Sequence, residues 1–187
     1  MPAPSAMPKY SETGIASWYG HPYHGRRAAN GEIYDMEQMT AAHRTLPFGT
    51  MVRVTNLTNS KTVDVRITDR GPFVDGRIID LSHAAAQAID MIGPGTARVK
   101  VTAIGMLSSP GGAGYGVQVG AFRDKRNAER LKKELERKYS PVELTQPAGD
   151  SKVWRVVVGR KPTMEEAQDL AATLAKQKDR VFVIRLD

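Results

Sequence analysis

Asp69 ends an alternating run and opens a sharp turn, Thr68-Asp69-Arg70-Gly71-Pro72-Phe73. Between Lys61 and Asp69 the apolar residues Val63, Val65 and Ile67 recur at every second position, so they share one face of a strand while Asp64, Arg66 and Thr68 share the other. Continued parity puts Asp69 on the buried face, at the rim of an apolar interior. Burial there disfavours the charged form of the carboxyl and raises its pKa toward the range a proton donor needs at neutral pH. The same residues also read as an ordinary turn, an Asp followed by Gly-Pro punctuation. Asp80 directly precedes a helix predicted to begin near Ser82, where it either helps cap that helix or faces a cleft. His21, His24 and His83 form no helical metal-binding spacing with one another or with a carboxylate, so neither a metal nor a cofactor is expected. Zero cysteines exclude disulfides, thiolate catalysis and cysteine metal sites.

The chain that positions these groups has 187 residues, 41% of them hydrophobic, enough for one domain of about 100 residues and a smaller one. No apolar run approaches the roughly 18 residues needed to span a bilayer, and Met1 to Tyr10 lacks the basic head and apolar core of a signal peptide. The glycine-rich run Ser108-Ser109-Pro110-Gly111-Gly112-Ala113-Gly114 reads as a linker, predicted over 107–114. Before it, a flexible segment over 1–12 leads into a domain over 13–106. Short alternating segments around Gly14 to Trp18, Met51 to Asn56, Lys61 to Asp69 and Arg98 to Ile104, with one helical stretch from Ser82 to Met91, predict a mainly β unit closed as a barrel.

After the linker, over 115–187, the sequence repeats at a constant 39-residue offset. Val117 matches Val156, Val119 matches Val158, Gly120 matches Gly159, and the predicted helix N-caps Asp124 and Thr163 match each other. Ala128, Leu131 and Leu135 match Ala167, Leu170 and Leu174, and Val142 and Leu144 match Val181 and Val183. Each half reads strand, helix, strand, which predicts an α+β domain of βαββαβ order, a four-stranded antiparallel sheet backed by two helices. The net charge of +7 favours an acidic partner, although the cluster from Lys125 to Lys138 is interspersed with Glu129, Glu134 and Glu136 and also suits a solvated helix face.

The N-terminal region resembles the double-psi β-barrel domain of the rare lipoprotein A family. The resemblance runs through Ala16-Ser17-Trp18-Tyr19-Gly20, Asn30-Gly31-Glu32, Thr40-Ala41-Ala42-His43, Leu46-Pro47-Phe48-Gly49-Thr50, the Asp69 to Phe73 run, and Arg77-Ile78-Ile79-Asp80-Leu81-Ser82. The tail is similar to a SPOR domain, the sporulation-related repeat. The resemblance implies a monomeric lytic transglycosylase of the bacterial envelope that acts on peptide-free (denuded) peptidoglycan strands at the division septum, with divisome proteins as possible neighbours. Such enzymes cleave between N-acetylmuramic acid and N-acetylglucosamine without adding water, leaving a 1,6-anhydro end.

Carried over position by position, the family pattern implies Asp69, Glu32 and His43 as catalytic. Asp69 is the expected general acid and later base, His43 an orienting or proton-sharing group, and Glu32 either a stabiliser of positive charge on the sugar or a like-charged neighbour that holds Asp69 protonated. Trp18 and Tyr19 either stack on a sugar ring or belong to the core, and only one of them is expected to face the ligand because strand neighbours alternate. On the tail the resemblance puts glycan on the open sheet face, with Gln118, Gly120, Phe122, Trp154, Arg155 and Val157 as contacts. Denuded muramic acid exposes a lactyl carboxylate, so its strands are polyanions that Arg and Lys can read. Two departures stand out. Arg160 and Lys161 follow Gly159 where the family often has a proline and an aromatic, and no cysteine is present for lipid attachment, so the expected location is the periplasmic side of the outer membrane or the free periplasm. The rival readings are an expansin-like module that binds wall without cleaving it and a nucleic-acid binder. No groove-reading helix or RNA-binding signature supports the latter.

Overall fold

The computed structural model describes residues 10–105, 114–146 and 152–187. The first stretch forms β1 (Ser11–Tyr19), β2 (Thr40–His43), β3 (Met51–Asn56), β4 (Thr62–Asp69), β5 (Arg77–Ser82), the short helix α1 (His83–Ala88) and β6 (Thr96–Gly105). These strands close into a barrel in the order β1-β5-β2-β4-β3-β6, as the many short strands predict. The β1–β5 and β2–β4 pairs are parallel and the other four antiparallel. Parallel partners cannot be joined by a hairpin, so β1 reaches β5 and β2 reaches β4 through intervening elements, and the connection from β1 to β2 lines the site with Tyr23, Arg26, Arg27 and Tyr34. Val52, Val54, Val65, Ile67, Ile79, Leu81, Val99 and Val101 fill the interior. Each contributes on the order of 1.5–3 kcal/mol by leaving water, and together they offset the cost of two carboxyls held partly out of solvent.

The barrel begins slightly earlier than expected, since Ser11 and Glu12 already lie in β1 and Tyr10 packs against the core. Helix α1 is capped by Ser82, whose hydroxyl accepts from Ala85 N–H at 3.2 Å and donates to Gln38 O at 2.6 Å. Asp80 is therefore not the cap. The expected linker lies outside the described residues except for Gly114, whose φ of +85° and closeness to Lys161 O, 2.7 Å from where a Cβ would stand, leave room for glycine only.

In the tail, β7 (Tyr115–Phe122), α2 (Lys125–Leu135) and β8 (Val142–Thr145) are followed by β9 (Trp154–Lys161), α3 (Met164–Ala175) and β10 (Phe182–Arg185). The sheet order is β10-β7-β9-β8, antiparallel throughout. The 39-residue offset carries β7 onto β9 end to end. It also carries one cap onto the other: Asp124 accepts from Arg126 N–H and Thr163 from Glu166 N–H. Val117, Val119, Val156 and Val158 face the helices and meet Ala128, Leu135 and Leu174. Among the described residues no helix is long and apolar enough to cross a membrane.

Candidate active site

Strand pairing lays four residues in a line across the outside of the barrel wall. Ser17 on β1 is in register with Asp80 on β5, Asp80 with Ala42 on β2, and Ala42 with Asp69 on β4. Paired residues share a face, so Asp80 and Asp69 flank Ala42 at two strand spacings, roughly 9–10 Å between Cα atoms. Ala41, one residue earlier on β2, is paired with Ile67 and Leu81 and turns into the core instead. Continued parity would have carried Asp69 inward with Ile67. A register shift between Ala41 and Ala42, spanned on β4 by Thr68 and Asp69, brings it out beside Ala42. Gly71 adopts φ +144° there, and a Cβ at that position would stand 3.6 Å from Asp80 Oδ2.

Both carboxyls are pushed above the usual aspartate range, chiefly by burial, but their partners differ. Asp69 Oδ1 accepts backbone N–H groups from Arg70 at 2.8 Å and Ala29 at 3.0 Å, and the charges of Arg155 and Arg70 also favour its ionised form. Asp80 accepts the Ser17 hydroxyl and feels Arg77, while the negative charge of Asp69 raises it further. Both carboxyls therefore hold their protons more tightly than a free aspartate, Asp69 facing donors and cations that favour its charge and Asp80 facing the charge of Asp69.

The line forms the floor of a cleft of about 440 Å³. Tyr19 and Tyr34 form one wall, stacked at 4.2 Å between ring centres, and the Tyr34 hydroxyl donates to Tyr19 O at 2.6 Å. Trp18 also borders it, edge-on to His83 and packed on the core. Both neighbours reach the cleft because β1 ends at Tyr19, where alternation lapses. Arginines 26, 27, 70, 77 and 155 line the same space, so its rim is strongly cationic around the two acids.

A family model described as "Lytic transglycolase" matches residues 11–101, and one described as "SPOR domain" matches residues 111–185. A Campylobacter jejuni protein named "Endolytic peptidoglycan transglycosylase RlpA" is 40% identical over 187 residues, covering 86% of this chain and 67% of that protein. The chain belongs to the RlpA family. Proteins of the same name from Helicobacter pylori, 37% identical over 83% of this chain and 59% of theirs, and from Vibrio cholerae, 57% identical over 51% and 36%, are also similar. The chain spans about a third to two thirds of the length of these curated relatives. Among solved structures, a Streptomyces papain inhibitor is similar at a TM-score of 0.43 with 24% identity, over 51% of this chain and 96% of that one.

Two residues implied by the RlpA pattern do not line the cleft. His43 follows Ala42 on β2 and so points to the opposite face, where it is 3% exposed. Its Nδ1 accepts N–H groups from Thr45 and Leu46, both at 3.1 Å, which puts the ring proton on Nε2, facing Glu12 Oε2 and the Tyr10 hydroxyl. Burial holds its pKa below the ordinary value of 6.5, so the ring is neutral. His43 thus holds the turn after β2, the turn whose carbonyls at His43 and Leu46 accept from the Arg70 guanidinium. Glu32 is exposed and paired two-pronged with Arg66 at 2.8 and 2.9 Å, which keeps it ionised. The loop it staples to β4 supplies the Ala29 N–H that grips Asp69.

His43→Ala is expected to cost about 2–4 kcal/mol of barrel stability, because two buried N–H groups lose their acceptor and a cavity opens. The wild-type histidine also makes stability pH-dependent. Its folded pKa lies below the unfolded one, so its contribution is present above pH 6.5 and is lost as pH falls. Denaturant titrations at pH 8 and pH 5 check both points, and the surviving enzyme should keep the wild-type shape of its pH–rate curve.

The six expected tail contacts divide between two faces. Trp154 and Phe122 pair with each other and pack against the helix-side core, with Lys125 5.0 Å above Trp154. Arg155, Val157 and Gln118 point the other way, and Gln118 and Val157 are 3% and 2% exposed. Trp154 and Arg155 are strand neighbours and cannot share a face. Gly120 pairs with Val156 after a register shift and is half-buried beneath Phe122 and Leu131. Ser17, Tyr34 and Arg77 were missed, although Ser17 and Arg77 sit inside the quoted motifs. Cross-strand register selects Ser17, and stacking on Tyr19 selects Tyr34.

Proposed function

We propose that this chain is an endolytic peptidoglycan lytic transglycosylase that cleaves denuded strands between N-acetylmuramic acid and N-acetylglucosamine, with Asp80 and Asp69 dividing the work. The observation that carries the reading is the pair of half-buried carboxyls flanking Ala42 on the floor of one cationic cleft. Asp80, whose pKa is raised by burial and by the charge of Asp69, gives its proton to the glycosidic oxygen as the bond to the muramyl anomeric carbon breaks. Ionised Asp69, held by two backbone N–H groups, opposes the positive charge that develops on the sugar ring. The muramyl O6 hydroxyl then attacks its own anomeric carbon and releases its proton to Asp80, which restores the enzyme and leaves the 1,6-anhydro end. A well-aligned internal nucleophile has an effective concentration of about 10⁵ M or more, so no water need be activated. This moves the acid from Asp69, favoured by strand parity, to its neighbour across β2.

Tyr19, Tyr34 and Trp18 suit sugar rings, and the arginine rim suits the repeating lactyl carboxylates of a peptide-free strand. The reading places the protein at the cell wall, enriched at the septum, on the periplasmic side of the outer membrane or free in the periplasm. It also places it among divisome proteins, as a monomer. Digestion of denuded glycan followed by mass spectrometry tests it. Anhydro ends are expected, products carrying one added water would mean hydrolysis, and no products would leave a wall-binding module.

A further inference from the structure

The tail sheet is not a free platform beside the barrel. On the side away from its helices, Phe182, Gln118 and Val157 lie in one cross-strand register, all under 9% exposed. That side is turned toward the barrel: Phe182 meets the Phe73 ring at 5.9 Å and lies 5.3 Å from the Arg44 guanidinium. Arg185 N–H donates to Arg44 O at 3.0 Å, and the Asp187 carboxylate joins Arg70 of the barrel to Arg185 of the tail. Arg70 is also the residue next to Asp69, so the seam between the domains runs along the acid end of the cleft.

At that seam the tail contributes directly to the cleft. Val153 and Arg155 line it, and the Arg155 guanidinium lies 4.2 Å above the Phe73 ring, on the sheet side it shares with Val157. Its charge is felt by Asp69. Arg155 is the cation that the second domain brings in, and its cation–π contact with Phe73 limits the freedom of a guanidinium whose planar fork suits two-pronged recognition of a carboxylate.

We propose that the tail is a wall of the cleavage cleft and that Arg155 is a specificity-determining residue, pairing with the lactyl carboxylate of the muramyl residue bound beside Asp69. Selection for peptide-free strands then takes place where the bond is broken, and a muramyl residue whose carboxyl is capped by a peptide loses this contact. The inference rests on the transglycosylase reading of the cleft.

The test uses the full chain and two substrates: denuded glycan, and the same glycan with its lactyl carboxyls converted to neutral methylamides. For each, kcat/KM is measured from anhydro-end formation, and affinity is measured separately by calorimetry. The wild type should prefer the acidic glycan by about 10- to 100-fold, the range for a hydrogen-bonded charge pair. Arg155→Ala should lower that ratio by about tenfold, mainly through KM and leaving only what the other rim arginines supply, and Arg155→Lys should restore part of it. A role confined to holding the domains together would lower both substrates alike, and an unchanged ratio or equal losses would overturn the proposal. If the wild type yields no anhydro ends from either glycan, the transglycosylase reading falls, and the binding ratio still decides whether Arg155 reads the carboxylate.

Discussion

Asp80→Asn protein is expected to fold, bind denuded glycan and release anhydro ends at least about 10³- to 10⁴-fold more slowly than wild type, because one group serves as both acid and base. Ser82 rather than Asp80 caps α1, so no helix is lost with the charge. The folded pKa of Asp80 is raised above its unfolded value, so ionisation opposes folding increasingly as pH rises from about 4 through the folded value. The neutral amide removes that opposition, and the thermal midpoint at pH 7 should be unchanged or higher. A muramyl substrate with a nitrophenolate leaving group departs without protonation, so it should recover at least tenfold of the lost rate. Turnover of natural glycan at the wild-type rate by a folded Asp80→Asn protein would exclude Asp80 as the acid.

Asp69→Asn removes the other carboxyl and should lower kcat by about 10²- to 10³-fold, the usual cost of losing a preorganised electrostatic partner of the transition state. Its signature differs from that of Asp80→Asn in two measurable ways. The nitrophenyl substrate should not rescue it, because a better leaving group does not replace the charge opposite the sugar ring. The alkaline limb of its pH–rate curve should also move to lower pH, since the negative neighbour that holds Asp80 protonated has gone. An alkaline limb that stays in place, or rescue by the activated substrate, would return the acid role to Asp69.

The architecture of the tail is legible because its cause is local and repeated. The 39-residue register alone pairs β7 with β9 and α2 with α3, and Asp124 and Thr163 cap their helices as their types require. The barrel strands β3 and β4 are legible for the same reason, since Val52, Val54, Val63, Val65 and Ile67 alternate along the chain. Strands β2 and β5 carry no such signal. Thr40 to His43 is buried on both faces, as are Ile78 and Ile79 together, and residues covered on both sides need not alternate.

Parity along one strand also set the limits of the site. It singled out Asp69 as a carboxyl at a buried rim, but not the register shift that turns it outward. The adjacency of Trp154 and Arg155 already required them to part, and the tertiary fold fixed which of them meets the barrel. A sequence records periodicity along the chain, whereas the line Ser17–Asp80–Ala42–Asp69 runs across it, through hydrogen-bonded pairings of four strands far apart in order. Residue types therefore determined that acids, aromatics and arginines were available. Their assembly was decided by strand register and by the packing of the tail against Phe73, because the free energy of those contacts depends on neighbours that only the closed barrel and its docked sheet bring together.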